Sequence, residues 1–149
     1  LPLPLAPELA ARDAGVDVGL RAILDAHARL AASADVVVVE GVGGWAAPLS
    51  SSLMQADLVR ALELPVVLVV GLRLGCLNHA LLSARAIAAD GCRLIGWIAN
   101  AIDPGMEAVD DNVAMLAARL PAPCWGRLPF ESAADADPRA AAQHLRMTM

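Results

Sequence analysis

Three short runs of β-branched and aliphatic residues carry no polar alternation: Asp-Val-Val-Val-Val at 35–39, Val-Val-Leu-Val-Val at 66–70 and Leu-Ile-Gly-Trp-Ile-Ala at 94–99. A strand with one face in water alternates apolar with polar residues. A strand that never alternates is covered on both faces, as in a parallel sheet flanked by helices. The segments between these runs read as helices. Residues 18–32 place Leu20, Ile23, Leu24, His27 and Leu30 at helical spacing, and 53–63 suggest a helix punctuated by Pro65. Residues 77–90 form a helix stopped by Gly91, and 106–119 another. A fourth strand is expected at 124–128, between Pro123 and Pro129, and a short helix around 138–146 in the acidic, Ala-rich end. Strands alternating with helices define an α/β fold with a mostly parallel sheet and helices on both faces, three layers deep. No repeat or linker divides residues 1–149, which read as one α/β domain.

Composition narrows the partners. The net charge is −5, which argues against nucleic acid or an anionic membrane surface. No apolar run approaches the roughly 20 residues of a membrane helix, and the Leu-Pro start lacks the basic and apolar regions of a signal peptide. Cys76, Cys92 and Cys124 are odd in number and far apart, with no zinc-type spacing, so reduced thiols in a cytoplasmic protein are expected. All 11 cations of the Lys+Arg class are arginines. The phosphate loop GxxxxGK[ST] is therefore absent, even in degenerate form. No GxGxxG, G-x-S-x-G or HExxH signature occurs either.

In parallel sheets ligands bind beyond the carboxyl ends of the strands, so the residues after each run carry the chemical reading. The first run ends in Glu40-Gly41-Val42-Gly43-Gly44-Trp45. A carboxylate there can hold Mg²⁺, and the glycines let backbone N–H groups approach a ligand closely. An ordinary Gly-rich turn with a solvated Glu is the competing reading. The second run leads through Gly71-Leu72-Arg73-Leu74-Gly75-Cys76-Leu77-Asn78-His79 into a helix, whose N-terminus suits a carboxylate or phosphate. Asn78 could equally cap that helix. The third run ends in Ala99-Asn100-Ala101, where the Asn amide can pair with a purine edge or simply occupy a turn. Trp45, Trp97 and Trp125 read as packing residues, Trp45 with a second possibility of shaping a pocket, and Met106 and Met115 read as core.

Taken in order, VVVVEGVGGWAAPLS, LELPVVLVVGLRLGCLNHALLSARAI, LIGWIAN and PCWGRLPF closely resemble dethiobiotin synthetase, from about Pro7 to Phe130. The E-G-x-G-G and L-G-x-x-N-H elements are the diagnostic pair. The resemblance implies a P-loop-type α/β fold, a homodimer, and an ATP- and Mg²⁺-dependent ligase. That ligase makes the ureido ring of dethiobiotin from 7,8-diaminononanoate and CO₂: one amine takes up CO₂, ATP phosphorylates the carbamate, and the second amine closes the ring. By resemblance, Glu40 matches the family's Mg²⁺ ligand, and Gly41, Val42 and Gly43 the backbone beside the phosphates and diamine. Asn100 with Ala101 matches the adenine-reading position, and Pro129, Phe130 and Glu131 the stretch on the adenine's other side. Gly75, Cys76, Leu77 and Asn78 match the helix start that receives the substrate's carboxylate across the dimer interface.

The sequence departs from the family in two respects. The family's phosphate loop, with its Lys and Thr, a second catalytic Lys, a substrate-contacting Ser and a further acidic ligand, would all precede Leu1, so this chain would be the C-terminal two thirds of the domain. No catalytic residue is expected in it, and it is expected to be inactive alone. Pro7-Glu8 also stands where Pro-His is common. Two other readings stay open: a related P-loop ATPase or amide-forming synthetase sharing the sheet and metal acid, and a non-catalytic dimerisation module.

Overall fold

Pro7 opens the first helix, α1 (Pro7–Ala14), in the computed structural model, which describes residues 5–132 and 137–147. Leu1–Pro4 of the Pro-rich lead lie outside the described residues. Proline suits a first helical turn because its missing N–H would have no intrahelical acceptor there. Gly15, at φ 64°, ends α1 in the left-handed conformation. The sequence pattern did not reveal this helix: its buried positions are Ala10 and Ala11, too small to give an apolar period. Helix α2 (Leu20–Ala31) falls inside the expected 18–32 span.

The run at 35–39, expected as a strand, has no ladder partner among the described residues. Val36 is 75% and Val38 87% exposed. Apolar patterning records a need for cover, but a strand exists only where a second backbone takes up its N–H and C=O groups. A short antiparallel hairpin that the sequence did not announce follows, β1 (Pro48–Ser50) with β2 (Leu53–Met54). It leads directly into α3 (Gln55–Leu62), where Asp57 Oδ2 accepts from the Met54 N–H at 2.9 Å. Leu49, Leu53 and Leu58 form a small core, with Val18, Leu20, Ile23 and Leu62 packed around it. These elements make up one compact unit, ending at Leu64.

The second unit begins at Pro65 and is built on a three-stranded parallel sheet. Its strands are β3 (Val66–Leu72), β4 (Leu94–Ala101) and β5 (Cys124–Leu128), in that order, with α4 (Cys76–Ala89) and α5 (Val109–Ala117) as the crossovers. β3 and β4 lie at the apolar runs 66–70 and 94–99, β5 lies at the fourth expected strand, 124–128, and each helix begins or ends within a few residues of expectation. Gly91, at φ 73°, stops α4 as anticipated. One sheet face buries Val70, Leu72, Trp97 and Ala99 against Cys76, Ala80 and Ala84 of α4 and Leu116 of α5. Met106 packs on this core, whereas Met115, expected inside, is exposed: α5 turns Leu116 inward instead. On the opposite face Gly96 gives room to the buried indole of Trp125.

The chain then returns through α6 (Pro138–Ala142), within the 138–146 region expected to be helical. Residues after α6 dock on β5. Leu145 forms an antiparallel bridge to Gly126, and Arg146 N–H donates to Trp125 O at 2.6 Å. The α/β class and the parallel sheet of the sequence reading hold.

Candidate functional site at the carboxyl rim of the sheet

Register decides which loops meet. Gly71 lies level with Asn100 and Leu72 with Ala101 across β3 and β4, and Asn100 lies level with Leu128 across β4 and β5. Because the strands are parallel, all three carboxyl ends open onto the same rim of this sheet. The loops that follow are short, so residues far apart in sequence become neighbours there.

A cavity of about 380 Å³ opens at the ends of β4 and β5. It is lined by Asn100, Ala101, Ile102, Leu128, Pro129, Phe130, Glu131 and Ala141. Five of these, Asn100, Ala101, Pro129, Phe130 and Glu131, are the residues that the family resemblance placed around an adenine. The sequence reading missed Ile102, Leu128 and Ala141. Leu128 was legible as the last residue of a strand. Ala141 comes from α6, and no local signal ties it to the rim. The lining offers one amide that both donates and accepts, one carboxylate, and several apolar surfaces, a composition suited to a flat heterocycle with a polar edge. Its volume lies within the roughly 300–1,000 Å³ common for ligand pockets.

A second cavity, about 460 Å³, shares Ala101, Pro129 and Phe130 with the first. It is lined further by Asp103, Met106, Val109, Arg127 and His144. Arg127 is paired with Asp110 in an ion pair that joins β5 to α5.

The loop from β3 into α4 places the other predicted group. Gly75 takes φ 92°, a conformation that costs an L-residue energy, and turns the chain into the helix. Cys76 is buried in the core, Leu77 half-buried, and Asn78 exposed in the first turn. Asn78 does not cap α4: the cap position is Gly75, and no side chain caps that end. The first-turn N–H groups of a helix have no intrahelical acceptors. That of Cys76 donates to Arg73 O at 3.0 Å, which leaves the turn at Leu77 and Asn78 as the face an anion would meet.

Glu40, Gly41, Val42 and Gly43 belong to the unit ending at Leu64. Glu40 is exposed. After it the chain folds tightly: Gly43 has φ 74° and Gly44 φ 146°, Gly44 N–H donates to Val42 O at 2.8 Å, and Ala47 N–H to Gly44 O at 3.1 Å. Gln55 fastens this loop. Its N–H donates to Ala47 O at 2.8 Å, and its Nε2 would lie 2.9 Å from a Cβ placed on Gly41. Gln55 is also buried, unusual for its type. Nothing in the sequence singled it out. No group of three or more His, Cys, Asp or Glu residues that could cage a metal occurs among the described residues. No helix among them is long and apolar enough to cross a membrane.

A parallel sheet whose strand ends bring an Asn amide and a helix N-terminus to one rim is the frame of an α/β protein of the ligand-binding type. A family model described as an AAA domain matches residues 1–137, and the chain belongs to that family. Over 147 residues it is 65% identical to the ATP-dependent dethiobiotin synthetase BioD of Xanthomonas oryzae pv. oryzae, a match covering 99% of this chain and 65% of that protein. The protein of the same name from Xanthomonas campestris pv. campestris matches to the same extent. That of Xylella fastidiosa is 64% identical over 129 residues, 87% of this chain and 57% of its own length. The likeness to dethiobiotin synthetases read from the motifs thus runs along nearly the whole chain, which spans 57–65% of the length of these relatives.

Proposed function

We propose that this chain is the adenine- and substrate-binding two thirds of a dethiobiotin synthetase, forming one α/β domain. The enzyme would be a cytoplasmic homodimer that closes a ureido ring from 7,8-diaminononanoate and CO₂ at the expense of MgATP. The observation that carries this reading is the cavity uniting Asn100, Ala101, Pro129, Phe130 and Glu131. The names of the 65% identical relatives supply the reaction.

In this reading Asn100 pairs with the adenine edge, while Pro129 and Phe130 flank the ring. The first turn of α4, at Leu77 and Asn78, receives the substrate's carboxylate through backbone N–H groups and the helix dipole. Glu40 would hold Mg²⁺. Glu40 is an exposed carboxylate, and that ion keeps several waters and is bound through one or two carboxylates plus substrate phosphates. The metal would neutralise phosphate charge during transfer. With no Lys in the chain, positioning is the contribution these residues make.

Calorimetry with ADP tests the reading. The chain should bind ADP in preference to GDP, and Asn100→Ala should weaken ADP binding roughly tenfold, the loss of one to two hydrogen bonds from a partly buried edge. ADP binding that is absent, or unchanged in Asn100→Ala, would overturn it. Normal dethiobiotin turnover by the 149-residue chain alone would overturn the assignment of phosphoryl transfer to groups outside it.

A further inference from the structure

Gly71, the penultimate residue of β3, has ordinary extended backbone, since its φ is not positive. Conformation therefore gives no reason for a glycine. Space does: a Cβ there would lie 2.6 Å from Ile102 Cδ1 and 3.3 Å from Ile102 Cγ1. The Ile102 side chain thus crosses back over the end of β3 and fills the room the missing Cβ leaves. It does so two residues after Asn100, at the mouth of the first cavity, which it lines.

Two large apolar side chains in that lining remain open to water, Ile102 at 46% and Phe130 at 48% exposure. Each exposed Å² of this kind forgoes about 25 cal/mol of burial. An exposed aliphatic and an exposed aromatic surface beside a donor–acceptor amide are what a flat heteroaromatic ring would cover.

We infer that Ile102 is a base-contacting, specificity-determining residue of the nucleotide site, held in place by the absence of a side chain at Gly71. The inference rests on the adenine-nucleotide reading above. It adds that the purine face lies on the Ile102 methyl groups, and that position 71 must stay glycine for the sake of the pocket rather than of the strand. The Cδ1 atom is the flexible tip of its side chain, so Gly71→Ala is expected to leave the sheet intact and turn Ile102 out of its present position.

The experiment is an NMR titration of the isoleucine-methyl-labelled chain with adenosine, which lacks phosphates and needs neither metal nor phosphate loop. The Ile102 δ1 methyl should shift upfield under the purine ring current and give an intermolecular NOE to a purine proton. Ile102→Ala should weaken adenosine roughly fivefold to tenfold, the contact of two to three carbons. Gly71→Ala should weaken it severalfold. In an Ile102→Val background, which lacks the atom that meets the new Cβ, Gly71→Ala should cost less than about twofold, because the coupling runs through that atom. Adenosine that shifts the Asn100 amide while leaving the Ile102 methyl and the Ile102→Ala affinity unmoved would overturn the inference and spare the adenine reading. A Gly71→Ala chain that melts lower yet binds adenosine normally would overturn it too. Adenosine that shifts no resonance of the wild-type chain would bring down both.

Discussion

Gly126→Ala should detach the carboxyl-terminal segment from the sheet. Gly126 sits in β5 at φ 154°, and a Cβ there would overlap the His144 carbonyl oxygen and lie 3.1 Å from Leu145 Cα. Both obstacles are backbone, so no rotamer change relieves them. The cheaper escape is for residues 144–146 to leave. That forfeits the Gly126–Leu145 bridge and the 2.6 Å hydrogen bond from Arg146 N–H to Trp125 O. At about 1 kcal/mol for each net hydrogen bond, undocking costs roughly 2 kcal/mol. A further 1 kcal/mol or so remains for holding alanine at a φ that favours glycine. The sum, about 3 kcal/mol, should lower the melting temperature by roughly 6–12 °C for a chain of this size. Urea unfolding gives the free energy, and hydrogen exchange at Leu145 and Arg146 localises it. Trypsin cleavage at Arg139 and Arg146 should quicken, and adenosine affinity should fall, because Ala141 of α6 lines the cavity. A variant as stable as wild type with Leu145 still protected would refute the reasoning.

Two further substitutions test the packing. Gly96→Ala places a Cβ into the Trp125 indole, overlapping Cε2 and Nε1 and lying 2.6 Å from Cδ2. Overpacking of about 1–3 kcal/mol and a red-shifted tryptophan emission are expected, and an unchanged spectrum with unchanged stability would count against the packing described. Glu63 closes α3 at φ 54°, left-handed for a residue with a Cβ; Glu63→Gly should raise stability by about 0.5–1 kcal/mol, and a lower urea midpoint would contradict this.

The legible part of the fold was the part whose signal is local. Val-Val-Leu-Val-Val at 66–70 and Leu-Ile-Gly-Trp-Ile-Ala at 94–99 became β3 and β4 because each has cover on a face and a backbone partner alongside. Residues 35–39 carry as strong a pattern and form no strand, because pairing depends on a second segment that the pattern does not encode. Helix α1 was invisible for the opposite reason: Ala10 and Ala11 bury fully while contributing little hydrophobic signal. Gln55 violates the usual polarity of the interior to brace the loop after Glu40, a role that exists only once α3 is set against Gly41.

The cavity at the rim divides along the same line. Its polar member Asn100 was readable because it ends a strand, and parallel strands present their ends together; the Pro129–Glu131 stretch came only from the family resemblance. Two of its apolar walls, Ile102 and Ala141, were not readable, because they are set by what crosses over a strand from elsewhere. Gly71, Gly96 and Gly126 each look, in sequence, like weak points of a strand. In three dimensions each marks a crossing: the Ile102 side chain over Gly71, the Trp125 indole over Gly96, and the His144–Leu145 backbone over Gly126. Two of these crossings bear on the rim cavity, through Ile102 itself and through the returning segment that carries Ala141. A glycine inside a covered parallel strand is therefore a pointer, and the residue it accommodates is found only from the register of the sheet.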